Sequence, residues 1–137
     1  MAKDGEEHFV AKISQKAIIE RDGKVLLVRH PKSDHWEFPG GRLNKGELPE
    51  EGLIREVKEE LGVDIELQRI VAVNTFALYD EGDHLTIAYY ATLKDPEQPL
   101  VLEEIEIAEV KWIDKTQLNE QPLWDDIRHA LDVFFAQ

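Results

Sequence analysis

The segment Pro49 to Gly62, PEEGLIREVKEELG, constrains the fold of this chain more than any other. Proline suits a first helical position, where its missing N–H has no intrahelical partner, and glycine suits the left-handed residue that closes a helix. At about 100° per residue, Leu53, Ile54, Val57 and Leu61 fall on one arc of that helix. Glu56, Glu59 and Glu60 stand at i, i+3 and i+4, so their carboxylates meet on the neighbouring arc within one turn. Like charges at that spacing repel unless a cation sits among them, and oxygen-only ligands suit a hard divalent ion, Mg²⁺ or Mn²⁺. The plainer alternative is a solvated acidic surface helix. Gly52 lies in the acidic arc, where a helix-interior glycine costs roughly 1 kcal/mol relative to alanine; the missing Cβ is expected to leave room for a metal or phosphate.

A helix with one apolar face needs a sheet or another helix to bury it, and the flanking sequence supplies strands. Val10 to Glu20 and Val25 to His30 are strand-like runs joined through Asp22-Gly23, a strong hairpin signal, so they are expected to pair antiparallel. Pro31 to Asn44 reads as a long loop, with Pro39, Gly40 and Gly41 supplying turn chemistry before the helix. Ile65 to Leu78 and Leu85 to Leu93 read as strands about a turn at Asp80-Glu81-Gly82-Asp83, the second with period-two alternation. Glu106 to Ile113 reads as a last strand, and Trp124 to Phe135 as a closing amphipathic helix. No repeat, linker or low-complexity segment interrupts the pattern.

With 137 residues, the chain can bury roughly 68% of its unfolded surface around one core, so residues 1–137 are expected to form a single domain. No apolar stretch approaches the ~20 residues of a membrane span, and MAKDGEEHF carries no hydrophobic export region. The absence of cysteine excludes disulfides, thiolate metal sites and a cysteine nucleophile, and fits a cytoplasmic protein. Sixteen basic against 29 acidic residues give a net charge of −13, which opposes binding to a nucleic-acid polymer. The same field would repel free polyphosphate, so a phosphate substrate is expected to arrive together with divalent cations.

Gly41, Glu47, Arg55, Glu56, Val57, Glu59, Glu60, Gly62 and Val63 fill every fixed position of the Nudix box, G-x5-E-x7-R-E-U-x-E-E-x-G-U with U aliphatic. The lead-in Trp36-Glu37-Phe38-Pro39-Gly40-Gly41 also resembles that of the family, and the looser similarity to its MutT group covers most of the chain. The resemblance implies an α/β fold, the Nudix α/β/α sandwich with a mixed central sheet. It implies a pyrophosphohydrolase that cleaves a diphosphate linkage in nucleoside diphosphate-X compounds with Mg²⁺, for which Mn²⁺ can substitute, acts on small nucleotides, and is compatible with a homodimer.

By the same resemblance Glu56, Glu59 and Glu60 are metal ligands, with the Gly41 carbonyl as a further one. Arg55 orients a metal-binding glutamate; its plainer role is an i, i+4 ion pair with Glu59. Glu47 either bridges to Arg55, helps position water, or simply favours the helix dipole. Related proteins place a further site glutamate ahead of the last-strand tryptophan. Counted back from Trp112 that residue is Glu106, with Glu103 and Glu104 as competitors and a solvated strand residue as the plainer reading.

Phe38 and Trp124-Asp125-Asp126 are similar to nucleotide-sanitising members, in which an aromatic ring stacks on the base and an Asn or Asp reads its edge. Phe38, Trp124 and Asp125 are therefore the expected substrate contacts; alternatively Trp124 caps the last helix onto the core and Asp125 sits in its first turn. ADP-ribose-specific members carry a proline where this chain has Phe76, Ala77, Leu78 and Tyr79, and Tyr79 resembles the tyrosine of dinucleoside polyphosphate hydrolases. The five histidines show no metal-site spacing, although His35 precedes the box closely enough to touch substrate. The leading expectation is cleavage of a nucleoside triphosphate, with oxidised purines in view, to monophosphate and pyrophosphate. Dinucleoside polyphosphate or nucleotide-sugar hydrolysis follows, and then a nucleotide-sensing module without catalysis.

Overall fold

The computed structural model describes residues 5–78 and 82–137. Strands β1 (Lys12–Arg21) and β2 (Lys24–Arg29) form the expected hairpin, closed by Asp22 at φ 54° and Gly23 at φ 78°. Two left-handed residues match the twist of the paired strands, which is why Asp-Gly occupies the turn. After β3 (Gly40–Arg42) come helix α1 (Pro49–Leu61), the long strands β4 (Ile65–Leu78) and β5 (Gly82–Leu93), β6 (Glu109–Ile113) and helix α2 (Asp125–Ala136). Of the turn expected at 80–83, Gly82 and Asp83 belong to β5, whereas Asp80 and Glu81, like Tyr79, lie outside the described residues.

The sheet runs β4-β5-β1-β2-β6, with β1 and β5 parallel and the other pairs antiparallel. Alternation along β1 divides the interior. Ala17 and Ile19 face a core completed by Leu53, Val57 and Leu61 of α1, whereas Ile18 faces one completed by Ile127, Ala130, Leu131 and Phe134 of α2. The helices thus cover opposite faces of a mixed sheet, the expected α/β/α sandwich.

Several boundaries differ from expectation. Residues 31–44 are not all loop, because β3 pairs with β1 in the register Ser14↔Arg42, Gln15↔Gly41, Lys16↔Gly40. Gly40 has φ 139°, and a Cβ there would stand 2.2 Å from the Gln15 carbonyl oxygen, so only glycine lets the two backbones approach this closely. The last strand begins at Glu109, since the Glu103 carboxylate accepts the N–H groups of Ile105 and Glu106 at 2.9 and 3.1 Å and turns the chain. Ile54 is 38% exposed, leaving the apolar arc of α1 to Leu53, Val57 and Leu61. Among the described residues no helix is long and apolar enough to cross a membrane.

Candidate active site

Helix α1 starts at Pro49 and ends at Gly62, whose φ of 71° lets its N–H reach the Lys58 carbonyl. With its apolar arc fixed on the sheet, the acidic arc faces β3. Arg55 ties that arc together. Its Nε and Nη2 donate to the two oxygens of Glu47 at 2.9 and 3.1 Å, a bidentate pair, and Nη1 donates to both oxygens of Glu59 at 3.1 Å. Nη2 also reaches Glu56 at 3.3 Å. The Glu47–Arg55 bridge expected from the sequence is formed, and the Arg55 hydrogen bond holds the Glu47 carboxyl below its usual range.

Gly41 is required for space. A Cβ on it would lie 2.9–3.0 Å from the Glu56 carboxylate, which therefore rests against the bare backbone of β3. The space beside Gly52 is already filled, contrary to the expectation of room for a metal or phosphate. A Cβ there would meet Glu47 Oε1 at 2.6 Å and Gln15 Nε2 at 2.9 Å.

Glu60 is only 5% exposed and accepts the Gly40 N–H at 3.1 Å. Burial pushes its carboxyl up to about 7, against the pull of Lys16 and the Gly40 N–H and with help from the Glu56 charge.

A cleft of about 460 Å³ is lined by Gly40, Gly41, Glu56, Glu59 and Glu60 on one side and by Glu103 and Glu106 on the other. Glu103 spends its carboxylate on its own turn, so Glu106 is the better placed of the two to face a ligand. The His30 ring, which also lines the cleft, binds the Glu106 carbonyl through Nδ1 at 2.6 Å and so anchors this loop to β2. The ring nitrogens of His30 are taken up by Glu106 and Glu37, and the carboxylates that line the cleft offer hard oxygens, the chemistry a divalent ion selects, so these residues suit such an ion. Among the described residues no three Asp, Glu or His side chains are already grouped to hold one. Glu59 is turned to Arg55 and Glu60 to Gly40.

A second cleft of about 570 Å³ opens on the α2 side of the sheet. Trp124 and Asp125 line it, joined by Asp126, Phe76, Lys16 and Glu37. Trp124 is half exposed and stacks on His35 with centroids 3.8 Å apart and planes 11° from parallel. It is the residue before α2, so its capping position and its place at the cleft are compatible. Phe38 is a correction: at 1% exposure it fills the α2-side core and offers no ring face to a ligand. Glu37 bridges to Val28 of β2 as a strand residue would, which turns Trp36 and Phe38 inward and Glu37 toward the cleft.

Lys16 escaped the sequence reading, and Asp126, named there within Trp124-Asp125-Asp126, joins Asp125 at the cleft. Burial raises the Asp126 carboxyl above its usual range. Lys16 Nζ bonds Glu37 Oε1 at 3.0 Å, and His30 Nε2 approaches the same oxygen at 3.3 Å, so this trio spans from the second cleft to the first. Arg42 lines both clefts.

The NUDIX domain family model matches residues 14–134. An 8-oxo-dGTP diphosphatase from Proteus vulgaris is 32% identical over 82 residues, 57% of this chain and 71% of that protein. A CTP pyrophosphohydrolase from Escherichia coli (strain K12) is 47% identical over 60 residues, 41% of this chain and 44% of the other. The crystal structure of MutT protein from Methanosarcina mazei Go1 superimposes with a TM-score of 0.80 at 26% identity, covering 92% of this chain and 94% of that one. Nudix hydrolases act on small nucleotide substrates and generally use divalent metal ions, which agrees with an oxygen-lined cleft beside one with an aromatic rim. Because the family match takes in both clefts as well as the glutamate helix, this chain belongs to the Nudix hydrolases.

Proposed function

We propose that the chain, acting as one catalytic domain in the cytoplasm, is a Mg²⁺-dependent pyrophosphohydrolase that converts a nucleoside triphosphate to the monophosphate and pyrophosphate. The observation that carries this is the position of Arg42, which lines the acidic cleft on one side and the Trp124 cleft on the other. A base resting on Trp124 would set its phosphates at that guanidinium and against the carboxylates of α1. Relatives named for 8-oxo-dGTP and for CTP both support a triphosphate substrate, the first also supporting oxidised purines.

In this reading Glu56, Glu59, Glu60 and the Gly41 carbonyl hold the ion, which neutralises phosphate charge and polarises water when bound. Arg55, fixed by Glu47, orients Glu59. Water adds to a phosphorus of the diphosphate link, the bridging P–O bond breaks toward the leaving phosphate, and Glu106 takes the water proton. Arg42 steadies the phosphate between the clefts. Trp124 stacks on the base, while Asp125 and Asp126 accept hydrogen bonds from its edge.

The test is a hydrolysis screen with Mg²⁺ across nucleoside triphosphates, oxidised purine triphosphates, dinucleoside polyphosphates and nucleotide sugars, with products resolved. Monophosphate with free pyrophosphate is expected. Nucleotide products without free pyrophosphate would shift the assignment to the other diphosphates, and binding without turnover would make this a nucleotide sensor.

A further inference from the structure

Gln15 is fully buried, yet among the described residues neither its Nε2 nor its Oε1 has a hydrogen-bond partner. An orphaned buried amide costs roughly 1–3 kcal/mol, so a group left in that state calls for a reason. Its position supplies one. Gln15 sits in β1 opposite Gly41 of β3, so its side chain points to the α1 face, toward the acidic arc. Its Nε2 and Glu47 Oε1 lie 2.9 and 2.6 Å from one point, the place a Cβ on Gly52 would take. That glycine therefore makes room for an amide donor and a carboxylate to stand side by side beneath the helix. Both Glu47 oxygens already accept from Arg55, but a carboxylate has about four lone-pair sites and can take a further N–H.

We infer that Gln15 is a positioning residue for the carboxylate set, held ready to donate to Glu47 when a divalent ion engages Glu56 and Glu59. This rests on the metal-dependent reading proposed above. Arg55 distributes its donors among Glu47, Glu59 and Glu56. Where Glu56 and Glu59 share their oxygens with an ion, Glu47 is the one carboxylate of the three left wholly to Arg55. An N–H from Gln15 then fixes Glu47 from beneath and gives Nε2 its partner at the same moment.

The experiment compares Gln15→Met, close in shape but apolar, with the native protein by three readings: melting of the metal-free chain, Mn²⁺ binding by calorimetry, and kcat and KM for the hydrolysed nucleotide. The expected result is a metal-free melting temperature held or raised, Mn²⁺ affinity lowered roughly tenfold, and kcat lowered roughly tenfold with KM unchanged. Unchanged Mn²⁺ affinity overturns the inference. So does a loss of affinity that merely follows a fall in metal-free stability. Should Gln15→Met not fold, Gln15→Asn, which withdraws the amide by one methylene, is read in the same way, and failure of both to fold assigns Gln15 a packing role. If the native protein hydrolyses no nucleotide, the proposed function fails while the Mn²⁺ reading still decides this one.

Discussion

Adjacent glycines in β3 have unlike jobs. At Gly40 both φ and the 2.2 Å approach to the Gln15 carbonyl oppose any side chain, and the obstruction is backbone that cannot yield. Gly40→Ala is expected to destabilise the chain by about 3 kcal/mol or more, seen as a large drop in melting temperature. At Gly41 the obstruction is the Glu56 carboxylate, the end of a flexible side chain. Gly41→Ala should melt within about 1 kcal/mol of the native protein yet bind Mn²⁺ roughly tenfold more weakly; full affinity would sever Gly41 from the site. Glu60 shows the same tension between folding and function. Its carboxyl is raised from 4.5 to about 7, so the stability linked to its neutral form is complete below about pH 4.5 and lost as pH rises through 7. Glu60→Gln keeps an acceptor for the Gly40 N–H. It should therefore stabilise the metal-free protein at pH 8 by up to about 3 kcal/mol, with the gain gone at pH 4.5. Equal melting of the two proteins at pH 8 would contradict the burial argument.

At the level of elements, what was legible in the sequence was local. Pro49, Gly62 and the i, i+3, i+4 glutamates lie within one helix, and Asp22-Gly23 closes a two-residue turn, so helix, hairpin and the carboxylates of α1 could all be read from spacing. Contacts between distant segments were not readable. The pairing of β3 with β1 depends on glycine removing a clash with Gln15, and nothing within residues 31–44 announces that partner. The burial of Phe38 had a local signal, since Trp36-Glu37-Phe38 alternates in and out as a strand does; the place of Lys16 had none, because the cleft it lines is assembled from distant segments. Residues 106–108, expected in the last strand, form instead the loop before β6, and that form yields a prediction. Glu103 shapes the turn, whereas Glu106 is presented by it. Glu106→Gln should lower kcat by roughly 10²-fold or more at constant fold. Glu103→Ala, which only loosens the presentation, should lower it less. Steady-state rates of the two variants in the reverse order would give Glu103 the chemical role.

Across the whole molecule, one cluster of charges joins the clefts and sets how the fold answers to pH. Lys16 on β1, Glu37 before β3 and His30 after β2 share a single carboxylate oxygen, and His30 continues to the Glu106 loop. Burial alone would raise the Glu37 carboxyl, but the Lys16 charge and the His30 hydrogen bond prevail and hold it at about 2. A depressed carboxyl contributes stability in full above its unfolded value of about 4.5 and loses it as pH falls toward 2. His30 works in the opposite sense. Its hydrogen bond to Glu37, partly offset by burial, raises it above 6.5, so its contribution is complete below that value and fades as pH climbs through the raised pKa. Together they are strongest in a window from about pH 4.5 to somewhat above 6.5. Glu37→Gln removes the anion both cations need. It should cost on the order of 3 kcal/mol near pH 5.5, roughly 10 °C in melting temperature, with the difference narrowing at pH 3 and again at pH 9. Melting curves across that range give the answer: a loss that stays constant with pH would show that Glu37 acts through packing, whereas a loss peaking near pH 5.5 would identify the trio as the electrostatic link between the two faces of the sheet.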